Sequence, residues 1–466
     1  MFTRKDFLMH WAIYLFCAAL GAHAEPTAVQ PVRLAFGKPG GPVKPVNGVG
    51  QGPLLGYDNY SMFKLLKEAG VPYARLHDVG GAFGKNLFVD IPNVFRDFDA
   101  DETKAENYDF AFTDRYIKAL VANGVEPYYR LGVTIENAHY VKAYRIHPPK
   151  DFAKWARICE HVIRHYTEGW ADGMHANISH WEIWNEPENY ETIEKNAMWK
   201  APFEEYIRLY SVAAPYLKKR FPHLKIGGYA SCGFYGVSSS WAKPDNARIV
   251  FLHKSFTDFL AACRDRHLPL DFFSFHCYDS AEHAAKQIAY CRKTLDEYGF
   301  GATEMSLNEW LCHYSGKKLG TPEQTAGIAA MLCVMQNGPV DDAEIYDAKA
   351  TGGTYAPLFA PETHQPRKAY QVFLAFNELR KLGTALPVSC KLPDGVFATA
   401  ATDAGNKEAA LLVANTRKDA VALDLSSLDG WTPTEARVID ATRGYEKAAV
   451  PKALGGEAVW FVRYRP

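Results

Sequence analysis

The chain is 466 residues long, with 48% hydrophobic residues, 14% aromatics and a formal net charge of −1. That content excludes disorder, and the length suits one large domain of about 250 to 350 residues plus a smaller one. A near-zero net charge offers no general attraction for nucleic acid or a membrane surface, so a polar, uncharged or locally charged substrate fits better.

The chain opens with Arg4 and Lys5, then the apolar run WAIYLFCAAL (11–20) and the small-residue triplet AHA (22–24). This is the order of an export signal, with residues 1–24 expected to be cleaved after Ala24 and the product secreted or periplasmic. An apolar run of about ten residues is too short to span a bilayer, and no later segment approaches that length, so no membrane span is expected. Cys17 lies too early for a lipidation site and lacks the small residues before it. Cys159, Cys232, Cys263, Cys277, Cys291, Cys312, Cys333 and Cys390 form no C-x-x-C pair and no metal spacing with histidine. Most are expected as buried, reduced thiols, with one or two disulfides left open.

Strand-like and helix-like segments then alternate. Candidate strands are 43–49, 73–78, 125–131, 179–186, 224–229, 271–277, 304–310 and 343–348. Candidate helices follow at 58–69, 109–123, 151–166, 203–220, 250–266, 282–298, 323–337 and 367–382, by the 3.6-residue recurrence of apolar positions. Asp151 stands at a helix start, Gly124 just past a helix end, and Tyr116, Ile117, Leu120 and Val121 form a stripe suited to packing on a sheet. Eight such pairs predict a parallel (β/α)8 barrel over 43–383. The alternative, an open doubly wound sheet, lacks a Gly-rich phosphate loop after its first strand. Beyond residue 384 short runs split by turn clusters (396–401, 410–416, 420–425, 435–440, 458–464) predict a β-sandwich over 384–466. Residues 25–42 hold one more candidate strand, VRLAF (32–36), for the sandwich.

Reacting groups of such barrels sit at the carboxyl ends of the strands. There the chain offers Arg75, His77 and Asp78 on the second strand, Arg130 on the third, and Asn185 and Glu186 on the fourth. His276 and Tyr278 close the sixth, Asn308, Glu309 and Trp310 the seventh, Tyr346 and Asp347 the eighth. Glu186 and Glu309 are expected to face each other across the mouth. Two carboxylates in an aromatic-rich cleft are what cleavage of a glycosidic bond needs, one protonated and one ionised. Arg75 is the natural cation to keep Glu309 ionised and Tyr278 a natural donor to it. The plain alternative is that both glutamates are buried ion-pair residues.

The stretch WEIWNEPEN (181–189) and the helix after it resemble the acid/base strand of clan A glycoside hydrolases. The closest resemblance is to family thirty-nine, which holds β-xylosidases and α-L-iduronidases. GVPYARLHD (70–78), LDFFSFHCYD (270–279), SLNEW (306–310) and HQPRKAYQVF (364–373) resemble further segments of that family. The resemblance implies a retaining, two-step hydrolase in which Glu186 is acid then base and Glu309 the nucleophile. It also implies that Asn185 binds the sugar 2-hydroxyl, that His77 and His276 line the sugar site, and that Pro187 sets the turn after the strand. A regular strand would point Asn185 and Glu186 to opposite faces, so the strand end must be bulged or twisted. Glu182 then points into the barrel, as a buried carboxylate with a basic or hydroxyl partner.

Arg130, Glu136, His139 and His147, on or after the third strand, could read a neighbouring sugar or a uronic carboxylate, or be solvated loop residues. Trp310 could stack on a sugar or pack, and Asp347 and Lys349 could touch substrate. Tyr346 departs from the Trp more frequent in the family. No H-E-x-x-H or similar cluster occurs, so neither a metal nor another cofactor is expected. The reading is a secreted retaining glycoside hydrolase on a carbohydrate substrate, β-xylosidase-like by default. Alternatives are an iduronidase-like, arabinobiosidase-like or endo-acting relative, a non-catalytic carbohydrate-binding barrel, or a glycosyl-transferring enzyme. Sugar, linkage and oligomeric state stay open.

Overall fold

The computed structural model describes residues 32–33, 35–53, 62–77, 79, 88–134, 146–238, 242–243, 245–312, 316–350, 355–426, 428 and 430–466. The expected export signal, Asp78, Glu136 and His139 lie outside them. Eight parallel strands close a barrel: β2 (Gly48–Gly50), β3 (Tyr73–Leu76), β4 (Glu126–Leu131), β5 (His180–Ile183), β6 (Lys225–Ser231), β7 (Phe272–Cys277), β8 (Glu304–Trp310) and β9 (Asp342–Tyr346). They pair in chain order and β9 returns to β2 through Ile345↔Val49. Every residue of β5, β7 and β9 is buried, as befits strands covered on both sides. Helices α1 (Phe63–Glu68), α3 (Ala111–Ala122), α4 (Phe152–Thr167), α5 (Phe203–Arg220), α6 (Ala247–Asp265), α7 (Ala281–Glu297), α8 (Pro322–Asn337) and α9 (Lys368–Leu382) follow the strands, and a short α2 (Ile91–Val94) lies in the loop after β3.

Local chemistry fixes the helix ends. Asp151 accepts the backbone N–H of Lys154 at 3.0 Å and caps α4. Gly124, at φ +73°, turns the chain out of α3. Two sequence readings change. The first strand is Gly48–Gly50 rather than 43–49, because Pro45 has no N–H to give and Val43 and Lys44 donate instead to Gly383 O and Gln336 Oε1. In α3 Tyr116, Ile117 and Leu120 are buried, but Val121 is 44% exposed: it lies past the edge of the stripe.

The C-terminal part is a six-stranded antiparallel sheet of order β10 (Thr384–Leu386), β11 (Val396–Thr402), β12 (Ala409–Asn415), β16 (Ala458–Arg465), β14 (Thr432–Ile439), β15 (Glu446–Ala448). Strand alternation divides it between two cores. Ala410, Leu412 and Ala414 of β12 join the barrel core, against α8 and α9. Ala409, Leu411 and Val413 belong to a second core with Leu423 and Leu425. Outside this sheet β1 (Val32–Arg33) pairs in parallel with β13 (Leu423–Asp424) as a separate two-stranded sheet. All eight cysteines beyond the expected signal are free, and only Cys390 is not fully buried. Among the described residues no helix is long and apolar enough to cross a membrane.

Candidate active site

The site is built where β5 stops short. Trp184 takes φ +76° and Glu186 φ +44°, a left-handed conformation uncommon outside glycine. Trp184 is turned away from the barrel axis: its indole donates to Met198 O at 3.0 Å and its ring lies edge-on to Trp199 at 4.9 Å. Losing one step of alternation there brings Asn185 and Glu186 to the same mouth. The Glu186 N–H is held by the Tyr229 and Ala230 carbonyls at 3.2 and 3.1 Å, and Asn189 N–H closes a turn on Glu186 O at 2.9 Å. Local strain of this kind persists where surrounding contacts enforce it.

A second irregularity aims Glu309. The register of β8 against β9 shifts between Leu307 and Trp310, and that of β7 against β8 between Ser274 and His276. Asn308 reaches inward to Glu182, and Glu309 reaches the mouth. Around Glu309 gather Arg75 Nη1 at 3.0 Å, Tyr278 Oη at 2.8 Å and His276 Nδ1 at 3.2 Å, with His77 Nε2 at 3.8 Å. Glu186 faces His276 Nδ1 at 2.7 Å and accepts Asn189 Nδ2 at 2.7 Å. One imidazole nitrogen therefore stands between the two carboxyls, and carboxylate oxygens of Glu186 and Glu309 lie within 4.8 Å of each other.

Below them Arg75, fully buried, distributes its donors. Its Nε and Nη2 reach Glu182 Oε2 at 2.9 and 2.7 Å, and Nη2 reaches Asn185 Oδ1 at 2.6 Å. Glu182 thus has a basic partner, and the Ser274 hydroxyl and Asn308 amide donate to its other oxygen. Because arginine only donates, Asn185 must present its oxygen to Arg75, which leaves its amide N–H for a ligand.

The same logic fixes His77. Arg130 Nε donates to His77 Nδ1 at 3.2 Å, so that nitrogen carries the lone pair and Nε2 carries the proton, facing Glu309. Burial, with Arg75 and Arg130 nearby, holds His77 far below the ordinary histidine range, so it stays a neutral donor. Arg130 in turn is paired with Asp90 at 2.6 Å, both fully buried. Asp90 also accepts the Thr134 N–H at 3.0 Å and hydroxyl at 3.2 Å.

Titration of the central groups is set by their mutual contact. Burial pushes Glu309 up, against the pull of His276 and Arg75, and the net direction is upward. Burial pushes Glu186 the same way, but the His276 hydrogen bond wins and holds that carboxyl below its ordinary range. Burial lowers His276, but Glu309 and Glu186 more than offset it, and the imidazolium persists above the ordinary histidine range. The two carboxyls thus favour the charged imidazolium, one hydrogen bond from Glu186. Burial also holds Tyr278 far above ten, so its hydroxyl stays a donor.

Seven sequence candidates, Arg75, His77, Asn185, Glu186, His276, Tyr278 and Glu309, meet at this mouth. Trp310 does not: it is fully buried in the apolar core, and its indole N–H has no partner among the described residues. The register shift beside it turns the ring off the mouth, so it packs and offers no stacking face. Arg130 reads no sugar either, being buried on Asp90, and His147 is exposed. Asp347 is buried, with its carboxyl pushed up to about 7 by burial, and accepts the Lys349 N–H at 3.1 Å. Tyr346 accepts from Gln51 Nε2, and its ring packs edge-on to Tyr278 and Tyr355 at 6.2 and 5.2 Å. Sequence reasoning missed Asp90 and Asn189. Only Asn189 carried a signal, standing one turn beyond Glu186 in the quoted stretch.

Residues 51–300, over half of the chain, match the family model for glycosyl hydrolases family 39. The chain belongs to that family. The match includes Glu186 and His276 and stops before Glu309, whose place rests on the geometry above. A beta-xylosidase from Geobacillus stearothermophilus is 30% identical over 223 residues, 46% of this chain and 39% of that protein. A beta-xylosidase from Caldicellulosiruptor saccharolyticus is 27% identical over 180 residues, 37% of this chain and 31% of that one. The chain therefore spans well under half the length of these relatives. Among solved structures, a glucosidase from Croceicoccus marinus superposes with TM-score 0.70 at 18% identity, covering 94% of this chain and 99% of that one. A GH39 enzyme from Xanthomonas axonopodis pv. citri does so with TM-score 0.63 at 16% identity, covering 96% and 100%. At such identities these structures show the shared fold.

Proposed function

We propose that this family 39 member is an exported retaining glycoside hydrolase that releases sugars from β-xylosides or closely similar glycans. The observation that carries this reading is the meeting of Glu186 and Glu309 around His276, with carboxylate oxygens within 4.8 Å. Retaining glycosidases hold their carboxyl groups about 5 to 5.5 Å apart, and inverting ones leave about 6.5 to 9.5 Å for a water. The two beta-xylosidase relatives support the choice of sugar, and the basic, apolar and small-residue order of residues 1–24 supports export.

In the first step Glu309 attacks the anomeric carbon and the bond to the leaving oxygen breaks as Glu186 protonates it. In the second, Glu186 takes a proton from water, which attacks the same carbon and frees Glu309. Glu186 needs its proton at the moment of bond cleavage, and His276 holds one 2.7 Å away. Arg75 and Tyr278 favour the ionised form of Glu309 but do not outweigh its burial. A bound sugar and the transfer of the His276 proton to Glu186 must therefore complete the division between attack and proton donation.

The test is a panel of aryl glycosides with wild type and Glu309→Ala, with proton NMR of the first-formed sugar. Release by wild type alone, with anomeric configuration kept, is expected. Inversion would reject double displacement, and no release from any glycoside would leave a carbohydrate-binding barrel.

A further inference from the structure

The catalytic reading leaves unexplained a group of cations on the Glu186 side of the mouth. Arg248 lies in the first turn of α6, where Asn246 accepts its N–H at 3.0 Å and fixes the helix start. Its guanidinium carbon stands 5.5 Å from the centre of the Tyr190 ring, and Lys195 Nζ stands 5.0 Å from the same ring. Tyr190 directly follows Asn189, whose amide holds Glu186. Arg248 is half-buried, lies beside the Cys232 thiol, and its charge acts on Glu186. Among the described residues neither Arg248 nor Lys195 forms a salt bridge, and Arg248 Nε, buried, has no hydrogen-bond partner.

Glu186 and the Cys232 thiol favour the Arg248 charge, but no salt bridge among the described residues takes up its guanidinium and the Tyr190 ring beside it offers no neutralising charge. The leaving group of a glycosidase departs toward its proton donor, here Glu186. A ligand that presents a carboxylate to Arg248 and Lys195, the two cations gathered on the Tyr190 ring, would supply that charge, since guanidinium pairs with carboxylate through two parallel hydrogen bonds. We propose that Arg248, Lys195 and Tyr190 form the leaving-group subsite, and that they select glycosides whose departing sugar is a uronic acid. This rests on the reading of Glu186 as proton donor, and it adds a mechanistic return. Arg248 is one of the charges that draw the proton off Glu186. A bound carboxylate neutralises that charge and leaves the proton on Glu186 when it is needed.

Two disaccharides with the same xylosyl residue, one on glucose and one on glucuronic acid, separate the outcomes. Wild type is expected to favour the acidic one in kcat/KM by about tenfold, the scale of a charge-assisted hydrogen bond. Arg248→Gln is expected to bring the ratio near one, and Lys195→Ala to lower it partway. A ratio of two substrates on one enzyme cancels any loss of folded protein. Equal rates in wild type, or a preference that survives in Arg248→Gln, overturn the proposal. If wild type cleaves neither disaccharide, the xylosidase reading falls, and NMR titration with methyl β-D-glucuronide judges the subsite by itself. Saturable shifts lost in Arg248→Gln uphold it, and their absence from wild type rejects it.

Discussion

The chain Asp90–Arg130–His77 makes a prediction in which stability and activity part company. Asp90 and Arg130 are fully buried and paired at 2.6 Å. Asp90→Asn keeps the shape and removes the negative charge, leaving a guanidinium buried without its counter-ion. Breaking a buried pair from one side costs about 3 to 5 kcal/mol, whereas replacing both partners is close to neutral. The double variant Asp90→Asn/Arg130→Met is therefore expected to recover most of the loss, as read from denaturant midpoints. Activity is expected to behave otherwise. Without the Arg130 Nε–H on Nδ1, His77 is free to carry its proton on either nitrogen, and the donor aimed at the mouth is no longer assured. A neutral hydrogen bond is worth about 0.5 to 1.5 kcal/mol, so kcat/KM of the double variant should stay about 2- to 12-fold low on any cleaved glycoside. If the double variant were as unstable as the single one, the pair would not be the source of the cost. If kcat/KM returned with stability, Arg130 would not be setting the His77 tautomer.

Glu186→Ala should slow hydrolysis of poor leaving groups by about 10²- to 10⁴-fold, the span of general acid catalysis, and act far less on activated aryl glycosides. Added azide should restore turnover and yield a glycosyl azide; no azide product would mean that Glu186 is not the acid/base. The pH profile of kcat/KM should be a bell set high on both sides. Glu309 must be ionised to attack and its carboxyl is raised, so activity fails on the acid side above the ordinary glutamate value of 4.5. The proton shared by His276 and Glu186 is kept past the ordinary histidine value of 6.5 and lost above it. In His276→Asn the alkaline limb should move, and an unmoved limb would deny His276 the proton. Trp310→Ala should destabilise by about 3 to 5 kcal/mol as a core truncation, while the milder Trp310→Phe should leave KM unchanged. A raised KM in a stable Trp310→Phe protein would restore the stacking role.

The barrel was legible because its signals are local and repeated. Strands such as FFSFHC (272–277) read as continuous apolar runs, and most of the following helices show an apolar stripe, so eight repeats add up even where single boundaries slip. Elements of three or four residues, β10, β15 and α2, are too short to show a period and went unread. The strand-mouth carboxylates were legible for a related reason, since a charge at the end of an apolar run is visible in one dimension. The orientation of their neighbours was not. Trp184 and Glu186 adopt positive φ without being glycine, and the shift before Trp310 has no residue that marks it. One irregular step decides whether a side chain faces ligand or core. Trp310 was therefore ambiguous between the two, and Arg248, whose charge acts on Glu186 from a helix start some sixty residues beyond it, was out of view altogether.

The barrel interior explains why so much charge is tolerated under one mouth. Arg75 serves two carboxylates at once, which in a dry core would leave one of them short. Glu182 makes up its share with neutral donors, the Ser274 hydroxyl and the Asn308 amide, and this frees Arg75 Nη1 for Glu309. Glu344 points into the same interior, and Gly48 gives it room, since a Cβ there would sit 3.0 Å from its carboxyl. Its oxygens have no hydrogen-bond partner among the described residues, and burial, with Asp342 nearby, pushes the group far above the ordinary carboxylate range. In the uncharged form that burial favours, Glu344 makes no demand on Arg75. Ionised, it would draw on the same cation and weaken the hold on Glu309. Glu309 thus depends on two buried neighbours, one supported by neutral donors and the other pushed toward its uncharged form.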